Sequence, residues 1–577
     1  MRRAARLRAA LTAAALASAA ACAPSRPAGA PQAAAPDVAV TSRGDVRLLG
    51  ASWVAPVVPS GAPDGILVGR FAGAPYDLGL AFGRLTRPWI RSQETHLDAL
   101  FEALIPNGFK RTLIRQLSAF RLRSLPREIP PGLLVSIAGL ADGYEPVPPA
   151  SGWNAWRRML DLHALHDVSQ RFVDAPALAA ACTGFAALAS DGGVLLARNF
   201  DFEGGYVFDR QKLVSLVVAD GKIPYLSVGF PGMLGVVSGL NRDGIGVALQ
   251  AIAGGETAGS GTPVTLLLAD VLRNESTFDG AVDRLRSAHV FVSDLILVAD
   301  AKSRRIAVVE KSPSAFTIRE ARGGSIGATN EAEDAAVRAR ARTLPPESTS
   351  KKRRARLDVL LAAAGPSLDV PGAVAILRDR RGADGTELGP GNRNAIDASI
   401  AAHSVVLDLG RRRAWVAAAP HTLGPYVPVD LEAVLAAAGG PPVSAAEPLP
   451  ADPWLVSGGY ARYRKARAAL AETRRLERRG GAGWLDAAAG AAGRAHDLSP
   501  DFAEATAKLG ELEFRLGHRA RALSLLDDAL AHDPGPAPLH AAVVAWRDTA
   551  ARGGAPPKDP IPTIPTPDEL IAEREKR

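Results

Sequence analysis

At 577 residues the chain exceeds what one ordinary core organises, so its length implies several domain-sized units. Its hydrophobic fraction of 47% leaves ample material for burial, and its net charge of +8 is scattered. The densest basic run, Lys351-Lys352-Arg353-Arg354-Ala355-Arg356, lacks interleaved aromatic residues for base stacking, which excludes nucleic acid as a partner and reads as a solvated helix face.

In chain order, Arg2, Arg3, Arg6 and Arg8 precede the short apolar stretch Ala9 to Ala21, a signal-peptide pattern over residues 1–22. Ser18-Ala19-Ala20-Ala21-Cys22 resembles a bacterial lipobox, with Cys22 as the lipidated residue. Ala19 stands where leucine is usual, so ordinary cleavage after Ala-x-Ala remains open. Either route implies an exported protein, periplasmic or anchored to the membrane by lipid. Residues 23–62 read as a tether, Ala- and Pro-rich at their start, and residues 63–181 as a mainly helical pro-segment punctuated by Pro126, Pro130 and Pro131.

From residue 182 to 435 the pattern changes. Short apolar runs separated by turns such as Asp191-Gly192-Gly193 and Asn241-Arg242-Asp243-Gly244 predict a meandering sheet. Helices follow at 263–273 and 278–287, strands resume to 319, a helical stretch spans about 337–378, and late strands lie at 404–409 and 413–418. Strands, helices, then strands again predict an α+β sandwich, not a doubly wound sheet. Residues 436–453 read as a linker. Within 454–550, Leu509, Gly510, Phe514, Gly517, Ala522, Ala529 and Pro534 fall at tetratricopeptide spacing, with Ala488, Ala495 and Pro500 as an earlier, degenerate copy. The Pro-rich, charged tail 551–577 reads as extended or disordered.

The chain has two cysteines, and lipidation of Cys22 leaves Cys182 without a disulfide partner. A thiol attacks as thiolate, and an ordinary pKa of about 8.5 leaves little of it near neutrality. Breaking the Ala181–Cys182 bond gives the cysteine its own α-amino group, of pKa about 7.7 to 8.0, as a built-in base. No cysteine–histidine pair competes with this, since His163 and His166 lie upstream on a helical segment. With Asp161 and Asp167 those histidines have metal-compatible side chains but no third clear ligand, so no metal is assigned.

Cys182-Thr-Gly-Phe-Ala-Ala, the turn at Asp191-Gly192 and Ala197-Arg198-Asn199-Phe200-Asp201-Phe202 resemble the start of the mature chain in cysteine-type N-terminal-nucleophile hydrolases. The resemblance is to the acyl-coenzyme A:6-aminopenicillanic acid acyltransferase family, with choloylglycine hydrolases and penicillin V acylases more distant. It continues through Gly239-Leu240-Asn241, Asp294 to Asp300, Val308-Val309-Glu310 and Ala328-Thr329-Asn330. Gly73-Ala-Pro-Tyr76 with Gly79 and Gly83 resembles the family's pro-segment. The resemblance implies an αββα sandwich whose cysteine begins an inner strand.

It also implies the site residues. Cys182 is the nucleophile, Asp201 the holder of the α-amino group, Arg198 the group orienting thiolate or substrate, and Asn330 a donor to the oxyanion. Asn241 is a second such candidate or simply a turn residue. Arg393 is possible as a late arginine, and Asn199 points to the opposite strand face. Autocleavage between Ala181 and Cys182 would pass through a thioester. No cofactor is implied. The expectation is an autoprocessed enzyme acting on non-peptide amide bonds, hydrolysis favoured over transfer because acyl-coenzyme A is not expected outside the cytoplasm. Its partners are a small amide or acyl substrate, a protein on the tetratricopeptide-like part and a membrane through the lipid. An exported scaffold with a silent or only self-cleaving hydrolase domain is the alternative.

Overall fold

The computed structural model describes residues 26–27, 29–30, 39–59, 64–145, 154–170, 181–345, 347–437 and 439–575. The leader and the Cys22 lipidation site lie outside these.

Strands alternate apolar residues between their two faces, and the described residues form two sheets. The larger has eleven strands in the order β1-β2-β3-β4-β7-β8-β9-β10-β11-β12-β13. These are β1 (Thr41–Arg43), β2 (Val46–Leu49), β3 (Ser52–Val57), β4 (Ile66–Gly73), β7 (Leu213–Ala219), β8 (Tyr225–Gly229), β9 (Ser238–Asn241), β10 (Ile245–Ala251), β11 (Asp294–Asp300), β12 (Arg305–Lys311) and β13 (Phe316–Glu320). The smaller, β14-β5-β6-β15-β16-β17, comprises β5 (Ala181–Leu188), β6 (Val194–Asp201), β14 (Ser325–Ala328), β15 (His403–Asp408), β16 (Arg413–Ala417) and β17 (Tyr426–Asp430).

Before the C-terminal region, the helices of eight or more residues, with one shorter helix at the site, are α1 (Pro75–Leu104), α2 (Gly108–Arg121), α3 (Pro131–Tyr144), α4 (Ala155–His163), α5 (Leu165–Gln170), α6 (Val264–Asn274), α7 (Phe278–Ser287), α8 (Thr349–Ala364) and α9 (Val370–Leu377). Ala186, Leu196 and Val405 of the small sheet meet Leu216, Leu226 and Leu297 of the large one, forming the core between the sheets. Phe71, Val217 and Val298 face outward onto Phe82 of α1, Ile137 of α3, Leu268 of α6 and Leu285 of α7. On the other side, Phe185, Ala187 and Leu195 pack under Leu357 and Leu361 of α8 and Leu377 of α9. The result is an αββα sandwich.

The crossing of α1 and α3 depends on small residues. A Cβ at Gly79 would lie 1.9 Å from the Ser136 carbonyl oxygen, and one at Gly139 would lie 2.1 Å from that of Tyr76. Only glycine lets the two backbones touch there.

Three expectations are corrected. The tether includes strands, because residues 41–57 form β1 to β3, with Trp53 and Val54 buried. Ile66–Gly73 is a strand, not the start of a helical stretch: its Ile-Leu-Val run pairs in parallel with Leu213–Ala219, so the pro-segment and catalytic region share one sheet. The tail is ordered where described. Ile561 is buried and donates its N–H to Glu511, while Glu569 and Glu573 of a helix at Pro567–Glu575 pair with Arg467 and Arg474. Paired buried charge fixes what composition alone reads as solvated.

The C-terminal region consists of α10 (Gly459–Arg479), α11 (Trp484–Leu498), α12 (Ala503–Arg515), α13 (Arg519–Ala531), α14 (Ala537–Arg552) and α15 (Pro567–Glu575). Gly510 brings α12 against Leu526 of α13.

Candidate active site

Cys182 is the second residue of β5 and is fully buried. Cross-strand pairing sets Cys182 opposite Phe200, Gly184 opposite Arg198 and Ala181 opposite Asp201. Because successive side chains alternate, the thiol and Arg198 share the face toward the large sheet, while Asp201 shares the other face with Thr183 and Asn199. The Cys182 backbone nitrogen lies between them.

On the inner face, Arg198 Nη2 donates to Cys182 Sγ at 3.2 Å, and Nη1 donates to the Val237 carbonyl at 2.8 Å and to Ser238 Oγ at 3.0 Å. The guanidinium stacks 4.4 Å above the Phe200 ring. Burial pushes the thiol up from its ordinary value; Arg198 opposes this and Asp201 adds to it. In the uncut chain burial thus favours the protonated form of the thiol.

Around the backbone nitrogen, the Cys182 N–H donates to Asn330 Oδ1 at 2.8 Å, and Arg353 Nη2 donates to the same oxygen at 2.9 Å. Asn330 Nδ2 is occupied, donating to the Ala251 carbonyl at 2.9 Å. Two donors converging on one atom fix which end of the amide is oxygen. Asn330 thus lies against the cysteine, with Oδ1 accepting from its N–H and Nδ2 donating to Ala251. Arg353 Nη1 also holds the Cys182 carbonyl at 2.6 Å and Thr183 Oγ1 at 2.7 Å.

On the outer face, Asp201 is buried and neither carboxylate oxygen has a hydrogen-bond partner among the described residues. Burial pushes its pKa up to about 7, against the pull of Arg353 and Arg393. Asn199 also lies on this face, bonded to the Leu377 and Ile396 carbonyls and to Ser404. Arg393 pairs with Glu203 just beyond Asp201.

Asn241 does not join the site. Ser238 is at the site end of β9 and Asn241 at the other, roughly 10 Å along the strand. Its amide donates to the Leu272 and Glu275 carbonyls and accepts from Ile245 N–H, so it is the turn residue.

Sequence reasoning missed Arg353, which had been grouped with a solvated run. On α8, Ser350, Arg353, Leu357 and Leu361 recur at helical spacing and are buried together; the two leucines downstream were the available signal. The neighbouring charges are ion-paired: Lys352 with Asp533, Arg354 with Glu333 and Asp358, Arg356 with Asp379.

No histidine donates to or accepts from Sγ among the described residues. His403 contacts Ser238 Oγ at 3.1 Å and is held neutral by burial and by Arg198. His163 accepts from Leu234 N–H, and burial pushes it down to about 4. On α5, His166 Nε2 lies 3.2 Å from Asp294 Oδ1, and Gln170 donates to the same oxygen at 2.9 Å, which ties the pro-segment to the first residue of β11. Burial lowers the His166 pKa, but Asp294 and Asp167 outweigh it and the net shift is upward. No group of three His, Cys, Asp or Glu side chains suited to a metal occurs among the described residues.

At Phe200, the cross-strand partner of Cys182, the residues Phe200, Phe202, Phe208, Phe230 and Met233 of the catalytic region face Leu97, Leu162 and Leu165 of the pro-segment across a mainly apolar pocket.

Residues 188–415 match the family model described as acyl-coenzyme A:6-aminopenicillanic acid acyl-transferase. That segment includes Arg198, Asp201, Asn330, Arg353 and Arg393 and begins after Cys182. A protein of Archaeoglobus fulgidus described as uncharacterized is 30% identical over 146 residues, covering 24% of this chain and 24% of the relative. The N-acylethanolamine-hydrolyzing acid amidase of Caenorhabditis elegans is 26% identical over 140 residues, covering 23% of this chain and 39% of the relative. The chain therefore spans between a quarter and two fifths of the length of these curated relatives.

Among solved structures, the Caenorhabditis elegans ortholog of N-acylethanolamine-hydrolyzing acid amidase is 20% identical with a TM-score of 0.31, over 40% of this chain and 93% of that one. A mutant of the conjugated bile acid hydrolase from Clostridium perfringens is 14% identical with a TM-score of 0.29, over 44% of this chain and 92% of that one. The segment 188–415 carries the pattern of that acyl-transferase family.

Proposed function

We propose that this protein is an amidohydrolase that cuts itself between Ala181 and Cys182 and then cleaves non-peptide amides of apolar acids through a Cys182 thioester. The observation that carries the proposal is the Asp201 carboxylate, buried, without a hydrogen-bond partner among the described residues, and set across the strands from Ala181. A buried carboxylate without a hydrogen bond is costly even with Arg353 and Arg393 near it, and cutting this bond creates a cation beside it, the α-ammonium of Cys182.

In the uncut chain, Sγ attacks the Ala181 carbonyl and the C–N bond breaks. The thiol proton passes to the departing nitrogen, leaving a thioester and a new amine. Water then hydrolyses the thioester, releasing a carboxylate at Ala181 and restoring the thiol. In the mature enzyme the neutral α-amine takes the Sγ proton as the thiolate attacks the substrate carbonyl, and delivers it to the leaving nitrogen. The departing amine leaves an acyl-cysteine, and water activated by the α-amine releases the acid.

Arg198 stabilises the thiolate, Asn330 Oδ1 fixes the direction of the amine, and Asp201 holds its protonated form. The cationic Arg198 and Arg353 counterbalance Asp201, so the amine is not locked as ammonium. The pocket at Phe200 and Phe230, about 80 Å³ in the uncut chain, is mainly apolar, which favours a hydrocarbon acyl group over a charged one. The curated relative from Caenorhabditis elegans, by its name, hydrolyses N-acylethanolamines, which are amides of this kind. Export and a lipid on Cys22 belong to the same proposal and rest on residues 1–22 alone.

Intact mass and N-terminal sequencing of purified protein test this reading, together with hydrolysis of a panel of N-acyl amides. A chain beginning at Cys182, with turnover abolished in Cys182→Ala, is the expected result. An uncut chain that turns over nothing supports the scaffold alternative and ends the proposal.

A further inference from the structure

Helix α2 turns its apolar stripe away from the core. An amphipathic helix on a folded protein ordinarily buries that stripe, yet no described side chain of α2 is buried. Phe109, Leu113, Leu117 and Phe120 are 78%, 48%, 54% and 54% exposed. At about 100° per residue these four fall within an arc of roughly 80° and run along about 16 Å of the helix. The other large apolar side chains exposed among the described residues, Val58, Val359, Val456 and Val544, stand singly, as surface residues of any protein do.

The stripe is held in this direction from behind. Arg111 lies 3.8 Å from Glu102 and Arg115 lies 2.8 Å from Asp98, so α1 takes these two arginines on the far side of the helix. Asn107 caps the first turn, its side chain accepting from the Lys110 N–H at 3.0 Å. Beside the stripe, Ile114, Leu117 and Leu122 form with Val168 of α5 and Phe291 a mainly apolar groove of about 280 Å³. Leu117 belongs to both, so apolar surface continues from the groove onto the outer face of α2.

Charge narrows what can cover it. Residues 105–127 hold six lysines and arginines and no aspartate or glutamate. With Arg111 and Arg115 engaged, Lys110, Arg121, Arg123 and Arg127 are exposed and without an ion pair among the described residues. Lys110 and Arg121 follow the stripe within about 40° of its Leu117 edge, and Arg123 lies 3.8 Å over the Phe120 ring. A protein docked here would have to supply a carboxylate to each cation or bury it unpaired. A bilayer with anionic headgroups meets both demands at once, hydrocarbon against the stripe and phosphates along its cationic border. None of the described helices is long and apolar enough to cross a membrane, so such a contact is peripheral.

We infer that α2 is an interfacial helix that lays the folded protein on an anionic bilayer. The contact is separate from any lipid on Cys22 and needs no turnover.

Vesicle co-sedimentation tests it on the full-length protein carrying Cys22→Ser, which removes any lipid at that residue. Vesicles of phosphatidylcholine with an equal amount of phosphatidylglycerol are expected to bind at least tenfold more tightly than phosphatidylcholine alone, with the difference lost at high salt. Phe109→Ser with Phe120→Ser should weaken binding to the mixed vesicles at least tenfold, and Lys110→Ser with Arg121→Ser should abolish the preference for phosphatidylglycerol. All four side chains are exposed, so thermal unfolding of both variants should match the parent. Absent binding of the parent to mixed vesicles, or undiminished binding by the phenylalanine variant, overturns the inference. A phenylalanine variant that unfolds earlier also overturns it, since a segment of the chain itself would then cover the stripe. So does a parent that is dimeric in analytical ultracentrifugation and a phenylalanine variant that is monomeric, since the stripe would then face a second copy.

Discussion

Replacing Asp201 by Asn in the uncut Cys182→Ala chain asks directly whether a stranded carboxylate awaits an ammonium. Below about pH 3.8 the group is protonated in both folded and unfolded chains and contributes nothing. Above that the unfolded chain ionises, while the folded chain resists until about pH 7, so the folded state binds more protons and stability falls as pH rises. Each pH unit costs about 1.4 kcal/mol, so the loss reaches roughly 4 kcal/mol at pH 7 and above. Asn has nearly the same shape and no charge, so Asp201→Asn should stabilise the uncut chain by roughly 2 to 4 kcal/mol at pH 7.5 and by almost nothing at pH 4. By the usual scaling for a chain of 577 residues this raises the midpoint of thermal unfolding by about 2 to 3 °C at the higher pH only. Calorimetry of both proteins at the two pH values measures it. A shift of the same size at both pH values, or destabilisation at pH 7.5, refutes the argument, since it would mean that Asp201 is already paired before the cut.

Other consequences are as concrete. Arg353→Ala removes the donor to the Cys182 carbonyl, Thr183 Oγ1 and Asn330 Oδ1; a loss on the order of 3 kcal/mol should slow self-cleavage at least a hundredfold, read as precursor decay on gels, with Arg353→Lys recovering only part. Gly139→Ala pushes a Cβ to 2.1 Å from the Tyr76 carbonyl oxygen and should cost roughly 1 to 3 kcal/mol in denaturant unfolding, whereas alanine at exposed Gly490, which meets nothing closer than 4.0 Å, should not destabilise. After cleavage the His166–Asp294 contact should hold the two pieces together below pH 6.5 and weaken as pH rises through the elevated His166 pKa. His166→Gln should flatten that dependence in analytical ultracentrifugation of the processed protein.

Much of this molecule was legible in order along the chain. The hairpin from Cys182 to Asp201 is local: a turn at Asp191-Gly192-Gly193 sets the register, and register alone returns Arg198 and Asp201 beside the cysteine. The apolar periodicity between residues 213 and 310 likewise gave strands and helices in their correct order, because two-fold and 3.6-fold repeats are properties of adjacent residues. What short-range pattern could not reveal was everything decided by burial across the fold. Arg353 reads as one charge in a basic run until α8 is laid on the small sheet, which turns that residue alone toward the cysteine. Ile66–Gly73 adjoins a long helix in sequence, yet its partner strand lies 146 residues away, beyond the reach of any local rule. The tail reads as solvated because its prolines and charges say so, while Arg467, Arg474 and Glu511 supply the counterparts that hold it. Sequence determined which chemistry stands at the start of β5, since the nucleophile and its neighbours are contiguous. The tertiary structure decided which charges are left without partners, because solvent exclusion and pairing depend on segments that meet only once the chain has folded.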